Sequence, residues 1–434
     1  MKLGSRIRLL NATTEYPIWG ILLVMGLVLL SPFVSTYLCY PAFLVCFYRI
    51  VRYDAKVFVT DYAIMAPAMQ FYKITGGISF VIWLCLIAAV WYFIRNKIRV
   101  NGALVCIILL LNYLLARMQM DINRFVLCFG QMLTLYVLLP HQNAKSAERT
   151  LKAFCWSLVL TSVYALVFRN TSQIVAIRGP ESYAIWGTKI MRFSGLIKDP
   201  NYYMTLLLVG MAALCKLKEA GCTGKAEFWI LIATMTAFGV ISYSKTFFLV
   251  FILLGGLYVI WQFWNKKVYR GMLFTAVAIL FMMYMFFAEN SPFAVVIERL
   301  TSGETISDMT TNRSDLLVVY GKAVVENIQV FLLGRGLASD PLNGRGAHNL
   351  IMEMLFFVGA VGFLLIVIFY VCMVKVIFKE SPETKKQHWI AKYIVLLITI
   401  VAYLALQGLF EMLTYAVLFL SLMSMYIVPK RKVP

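Results

Sequence analysis

Residues 348–374 read HNLIMEMLFFVGAVGFLLIVIFYVCMV, in which Glu353 is the one acidic residue and neither lysine nor arginine occurs. A helix rises about 1.5 Å per residue, so roughly 20 apolar residues cross a hydrocarbon layer about 30 Å thick. This stretch is longer than that, and it therefore predicts a membrane-spanning helix.

The same pattern recurs along the chain on both sides of this stretch. Eleven further apolar segments are 17–39, 74–94, 100–116, 122–140, 152–168, 201–217, 228–243, 246–264, 271–288, 390–408 and 411–428. The first region is interrupted by Pro32, and each half alone is too short to cross. We therefore predict one span at 17–39, followed by an interfacial segment at 41–50.

The composition of the whole chain agrees with a membrane protein. Of its 434 residues, 62% are hydrophobic and 14% are charged, whereas soluble domains have about 45–50% and 25%. A soluble enzyme, a disordered chain and a secreted disulfide scaffold are excluded, because one soluble core cannot hide this much apolar surface. We predict an all-α, polytopic integral membrane protein with about twelve transmembrane helices. Residues 1–434 would form a single helical domain, with a large extracytoplasmic loop at 289–347.

The cysteines and histidines favour no metal centre. The nine cysteines lie almost entirely in apolar stretches without metal-ligand spacing, and the three histidines are scattered. We therefore expect neither a metal nor a cofactor. Lys2, Arg6 and Arg8 precede the first apolar run, and no small-residue cleavage site follows. This predicts a retained first span and not a removed signal peptide.

The net charge of +20 is explained mainly by orientation in the membrane. Segments predicted to face the cytoplasm hold 23 of the 40 lysines and arginines in about 76 residues, and the outer segments hold 17 in about 124. This asymmetry is the positive-inside pattern. We therefore predict no nucleic-acid partner, and the outer basic residues carry the functional information.

Two outer segments could bind an anion. The first loop ends in Arg192 and continues through Asp199-Pro200-Asn201, where Asp199 is explained more simply as a helix cap. The tight turn Ser242-Tyr243-Ser244-Lys245 places hydroxyls and a cation beside the free N–H groups of a helix N-terminus, which is a typical anion site. A lysine snorkelling at the interface is the alternative for Lys245.

The long outer loop supplies further cations. Arg313 stands in the first turn of a predicted short amphipathic helix, where an acid would be usual; a solvated arginine is the alternative. Arg335 and Arg345 lie among glycines, which allow close approach of the backbone. The strand that a nucleotide-binding loop would require is not predicted here.

The end of this loop contains a candidate base. His348 is the one histidine predicted on the outer side, and Asn349 and Glu353 follow it. An ionisable residue just inside a span, such as Glu353, is a functional candidate. A structural interfacial histidine is the alternative for His348.

In these residues the chain resembles the bacterial O-antigen polymerase and O-antigen ligase family. The resemblance covers roughly 190–365, and its motifs are Arg192 to Asn201, Ser242 to Lys245, Asn312-Arg313 with the helix to Gly334-Arg335-Gly336, and His348-Asn349 leading to Gly359-Ala360-Val361-Gly362. It implies a multi-pass enzyme of the bacterial cytoplasmic membrane with its active site outside. Such an enzyme transfers a glycan from undecaprenyl diphosphate to an acceptor.

The resemblance assigns the diphosphate to Lys245 and Arg313, and the acceptor side to His348. The family usually has arginine in the tight turn, and Lys245 cannot form the bidentate contact of an arginine. We expect His348 and Arg313 to be catalytic, with Arg192 at the rim. The other predicted substrate contacts are Lys245, Arg335, Arg345, Asp199, Asn201, Tyr243, Asn349 and Glu353.

The predicted activity is polymerisation of lipid diphosphate-linked oligosaccharide repeats into a surface polysaccharide. The implied partners are the undecaprenyl-diphosphate-linked oligosaccharide, the growing glycan acceptor, the lipid bilayer and a chain-length regulator. Three alternatives stay open: a ligase that transfers a finished glycan to another acceptor, a flippase or transporter of lipid-linked sugars, and a purely structural membrane protein.

Overall fold

The structure, a computed structural model, describes residues 16–72, 79–96, 100–116, 121–178, 182–185, 188–264, 269, 272, 275–276, 283, 313–339, 342, 346–380 and 412–427. The described chain is helical apart from one short β-hairpin. The predicted spans 271–288 and 390–408 lie largely or wholly outside the described residues, as do residues 289–312 of the predicted loop.

The helices in chain order are α1 Ile18–Leu30, α2 Cys39–Arg52, α3 Ala55–Met65, α4 Phe80–Arg95, α5 Gly102–Ala116, α6 Ile122–Leu138, α7 Ala144–Val167, α8 Ser172–Arg178, α9 Pro200–Glu219, α10 Lys225–Ile241, α11 Lys245–Trp264, α12 Arg313–Val325, α13 Ile328–Leu333, α14 Leu350–Glu380 and α15 Met412–Ser424. Short 3₁₀ turns occupy Thr36–Leu38, Ala66–Phe71 and Leu139–His141. The strands are β1 Ser182–Ile185 and β2 Thr188–Met191, which pair antiparallel.

Three of the described segments are long and apolar enough to cross a membrane, namely Ile122–His141, Ala144–Val167 and Leu350–Lys379. Shorter apolar helices are Ile18–Leu30, Phe80–Arg95, Gly102–Ala116 and Tyr415–Ser424. Many large apolar side chains remain exposed on these helices, including Trp19 and Ile94, as is typical of a surface in contact with lipid.

The bundle has two ends, and specific contacts identify them. At the first, which we call the Arg49 end, Arg49 donates to the Pro17 carbonyl at 2.8 Å and the Tyr92 hydroxyl donates to the Tyr53 carbonyl at 2.8 Å. At the second, which we call the loop end, the Lys198 N–H donates to the Gln70 side chain at 2.6 Å. The start of α9 and the turn between α10 and α11 lie at the loop end, and the turn between α9 and α10 lies at the opposite end of these helices.

The predicted span at 17–39 and the interfacial segment at 41–50 are wrong. α1 ends at Leu30, the chain turns, and α2 packs back against α1. The physical reason is Pro32, which lacks a backbone N–H and disfavours helix at the residue before it. α3 then runs forward again beside α7, so residues 17–72 pass three times between the two ends.

The region therefore contains two passes more than the sequence predicts. Because two is an even number, the predicted spans after residue 72 keep their directions between the two ends of the bundle. This arrangement does change the charge distribution. The sequence assigns Arg49, Arg52 and Lys56 to the outer segments, but the structure places them at the Arg49 end. Arg149 lies there too and donates to the Lys56 carbonyl at 3.4 Å. Three of the 17 basic residues that the sequence assigns to the outer side therefore lie at the same end as Arg149, which the sequence assigns to the inner side.

α9 occupies the centre of the part of the bundle that carries the first candidate site. It packs against α7, α10, α11 and α15, and most of its side chains are buried. The hairpin of α10 and α11 is tight because Gly239 leaves room for the buried ring of Phe247; a Cβ at Gly239 would lie 2.0 Å from that ring. The turn at Ser242–Lys245 is thereby held at the loop end, next to the start of α9.

α14 is broken at Gly359, whose backbone is non-helical with φ 67° and ψ 178°. The break leaves carbonyls without partners inside the helix. The Arg335 N–H donates to the Phe356 carbonyl at 2.7 Å, and the Gly336 N–H donates to the Phe357 carbonyl at 2.9 Å. The segment after α13 therefore crosses α14 at its break.

Candidate functional site

Arg192 joins the first two predicted segments. Its Nε donates to the Ser242 carbonyl at 3.1 Å, and its Nη2 lies 3.4 Å from Asn201 Oδ1. The side chain is 5% exposed. The sequence predicts Arg192 at the rim of the site; in the structure its guanidinium is buried and interacts with the C-terminal end of α10. A cation at a helix C-terminus is favourable.

The N-terminus of α11 lies in the same cluster. Ser244 is fully buried, its hydroxyl donates to Asn201 Oδ1 at 3.2 Å, and its Oγ accepts from the Phe247 N–H at 3.4 Å. Lys245 follows as the first residue of α11 and is partly buried. The structure therefore brings Arg192, Asn201 and Ser244 into hydrogen-bond contact beside the N-terminus of α11, where Lys245 is the first residue.

Asp199 has the structural role that the sequence favoured. It is the N-cap of α9, and its carboxylate accepts from the Asn201 N–H at 2.7 Å. Pro200 occupies the first turn, where its missing N–H is not needed. This cap fixes the position of Asn201, which accepts from both Arg192 and Ser244.

Two residues of the predicted site have unusual backbone conformations. Among the described residues, the non-glycine positions with positive φ are Tyr243, at 49°, and His348, at 50°. Such a conformation is uncommon for a bulky side chain and costs on the order of 1–3 kcal/mol. Strain of this kind persists where the surrounding structure fixes the chain, and it is concentrated at functional sites.

The start of α14 forms the second part of the candidate site. Half-buried His348 directly precedes Asn349, whose side chain accepts from the Met352 N–H at 3.1 Å. Glu353 is 6% exposed and lies in the first turn of α14, where an acid is favourable toward the helix dipole. Asn349 and Glu353 therefore both have structural roles at this N-terminus. His348 lies two residues before the first residue of α14.

Arg335, which follows α13, and Tyr320, on α12, both contact Phe356 of α14. The Arg335 guanidinium stacks over Phe356, with Cζ 5.2 Å from the ring centroid, and the rest of the side chain is exposed. The buried Tyr320 ring also packs against Phe356. Burial raises the pKa of the Tyr320 hydroxyl, and its oxygen accepts from the Leu342 N–H at 3.1 Å.

Two candidates have little or no described geometry. Arg313 is the first residue of α12, which confirms the predicted helix start. Arg345 lies outside the described residues, as does Asn312. Both parts of the candidate site lie at the loop end, and each is held by its own contacts.

Sequence reasoning missed one further arginine at this end. Arg124, in the first turn of α6, donates to the carbonyls of Leu337 and Ser339, each at 2.7 Å. An arginine in the first turn of a helix interacts unfavourably with the helix dipole. Arg124 has this unusual position in α6, as Arg313 has in α12, so the sequence could have identified Arg124 by the same criterion.

Comparison of the chain with known proteins finds no matching family model, no matching curated protein and no matching solved structure. The proposed function therefore depends on the residues and their geometry.

Proposed function

We propose that the protein is a membrane glycosyltransferase of the bacterial cytoplasmic membrane, which polymerises undecaprenyl-diphosphate-linked oligosaccharide repeats on the outer side. The main supporting observation is the strained backbone at Tyr243 and His348. These residues belong to two separate segments at one end of the bundle, and cations accompany both: Lys245 beside Tyr243, and Arg335 in the segment that crosses α14.

In the proposed reaction, an acceptor hydroxyl attacks the anomeric carbon of the donor sugar. The new glycosidic C–O bond forms as the C–O bond to the diphosphate breaks, and the hydroxyl proton passes to His348. A general base of this kind contributes on the order of 10²–10⁴-fold. One direct displacement inverts the anomeric carbon.

The departing diphosphate needs stabilisation where its charge develops. Lys245 and the first N–H groups of α11, ahead of the Phe247 N–H that donates to Ser244 Oγ, are the proposed ligands, and Arg313 is a further one. Buried Arg192 supports this turn through the Ser242 carbonyl and Asn201. We therefore assign Arg192 to positioning of the turn and not to direct contact at the rim.

We expect His348→Asn to lower polymerisation by on the order of 10²–10⁴-fold. Asparagine tolerates positive φ, so this variant keeps the backbone and removes the base. Lys245→Met should lower the rate on the order of 10²-fold through the lost cation. The measurement is the ladder of products formed by purified protein from undecaprenyl-diphosphate-linked repeats prepared from the bacterium that carries it.

The matched control is Lys322→Met, which removes an exposed cation of α12 at the same end. Full activity is expected for this variant. Unchanged ladders in both His348→Asn and Lys245→Met would contradict the proposed site. A single transfer to another acceptor, without a ladder, would assign the same site to a ligase.

Transport of lipid-linked sugars is the second candidate, favoured by the ion pair of Arg49 and Asp61. Both side chains are buried between helices, and buried charges among membrane helices often mark transport pathways. Movement of the donor across liposomes without bond formation would favour this candidate over polymerisation.

We also propose that residues 17–72 cross the membrane three times, which adds two crossings to the twelve expected from the sequence. Asp54 is exposed between α2 and α3 at the Arg49 end, and Lys198 is exposed at the loop end. In Asp54→Cys, a membrane-impermeant maleimide should label the new thiol only after the cells are permeabilised. Lys198→Cys, the control, should be labelled in intact cells.

Labelling of both positions from the same side would contradict the three-pass arrangement. The single span expected from the sequence predicts that result, because it places residues 49–73 outside.

A further inference from the structure

Arg124 lies outside the segments that carry the proposed site, but it holds one of them. One nitrogen, Nη1, donates to both Leu337 O and Ser339 O at 2.7 Å. The guanidinium also stacks on Phe357, with Cζ 4.5 Å from the ring centroid. A planar guanidinium can lie against an aromatic ring while it donates to nearby carbonyls, and a lysine ammonium can reproduce the donation but not the planar contact.

The segment held by Arg124 is also fixed from its other side. The Arg335 and Gly336 N–H groups donate to carbonyls at the break of α14, and the side chain of Leu337 is fully buried. Ala347, directly before His348, is buried as well. Leu337 and Ala347 are thus both buried, and the Arg124 side chain donates to the backbone of 337–339.

We propose that Arg124 is a positioning residue for the proposed glycosyl transfer, because it links segment 337–339 to Phe357 of α14, the helix whose N-terminus lies beside His348. This inference rests on the proposed function. α6 itself packs against α4 and α5, so the helix does not depend on this contact. The consequence of losing Arg124 should therefore be concentrated in residues 337–339 and in the first turns of α14, next to His348.

Arg124→Gln should lower kcat by about 10–100-fold, because a displacement of about 1 Å of a catalytic group can reduce a rate on the order of 10²-fold. The KM for the donor should stay within about twofold, since Lys245 and α11 are untouched. Arg124→Lys should recover part of kcat because it keeps the charge and can donate to the carbonyls. Rates are measured per folded molecule with undecaprenyl-diphosphate-linked repeats from the source bacterium.

The double variant Arg124→Gln with His348→Asn separates positioning from general destabilisation. If Arg124 acts through His348, its removal should have little further effect on kcat when His348 is already replaced, because coupled residues are non-additive. Multiplying effects, or an unchanged kcat in Arg124→Gln, would overturn the inference and leave the proposed function intact. Full activity of His348→Asn would instead contradict the proposed function itself.

Discussion

Replacing Asp61 with alanine should destabilise the folded protein by about 3–5 kcal/mol, the usual penalty for leaving a buried charge without its partner. Arg49 Nε and Nη2 donate to the two Asp61 oxygens at 2.6 and 2.9 Å. The Tyr16 hydroxyl donates to the same carboxylate. With Arg49 also bound to the Pro17 carbonyl, one carboxylate connects α2, α3 and the residues before α1.

The measurement is the apparent unfolding temperature of purified protein in detergent, together with the yield of folded protein. The matched control is Glu148→Ala, which removes the half-exposed pair of Glu148 and Lys152 on α7. An exposed pair of this type contributes about 0–1 kcal/mol, so little change is expected there.

A second variant distinguishes the lost partner from the lost side-chain volume. Arg49→Met combined with Asp61→Leu removes both charges and keeps an apolar filling, which is often neutral in a buried site. This double variant should unfold at a higher temperature than Asp61→Ala alone. If Asp61→Ala unfolds at the temperature of the unchanged protein, the ion pair does not hold the three N-terminal helices together.

This ion pair also explains why the N-terminal region could not be predicted. Hydropathy identifies helices such as α6 and α14, whose apolar runs match the predicted segments 122–140 and 348–374 closely. α3 contains Lys56 and Asp61 and therefore resembles a polar loop. The charge of Asp61 is compensated by Arg49, twelve positions earlier on another helix, and local patterns do not contain such a pairing.

Residue type identified candidates for the site, and for Asp199 also the role of helix cap, but the roles of other residues depend on distant contacts. Tyr243 and His348 were identified from their segments, and their strained backbone appears only in three dimensions. Arg192 resembled a free cation because the carbonyl that it binds, that of Ser242, is fifty residues away. Arg124 was missed because both of its acceptors are backbone carbonyls, more than two hundred residues distant, which no sequence motif records.

Replacing Gly359 with alanine should be as disruptive as loss of Asp61, for a different reason. Gly359 has a φ of 67°, which costs a residue with a side chain about 1–3 kcal/mol. An added Cβ would also lie 2.4 Å from the backbone nitrogen of Gly334 and 2.5 Å from the Leu332 carbonyl. Both neighbours are backbone atoms, so the two crossing segments must separate.

Separation of these segments would remove more than one contact. The Tyr113 hydroxyl donates to the carbonyls of Leu333 and Val358, and so connects α5 to both sides of the crossing. The hydrogen bonds of Arg335 and Gly336 to α14 depend on the same approach. Gly359→Ala should therefore lower the unfolding temperature and, in the protein that still folds, the polymerisation rate for which we propose His348 as the base.

The matched control is Gly321→Ala on α12, where no atom lies within 4 Å of the added Cβ. Alanine in a helix interior is favoured over glycine by about 0.5–1 kcal/mol, so this variant should be neutral or slightly more stable. Gly334→Ala should reproduce the defect of Gly359→Ala, because its Cβ would lie 2.5 Å from the Phe357 carbonyl. Equal stability of Gly359→Ala and Gly321→Ala would show that the crossing is not closely packed. The N-terminal part of α14 would then have to be held by Arg124 and Tyr320, through Phe357 and Phe356.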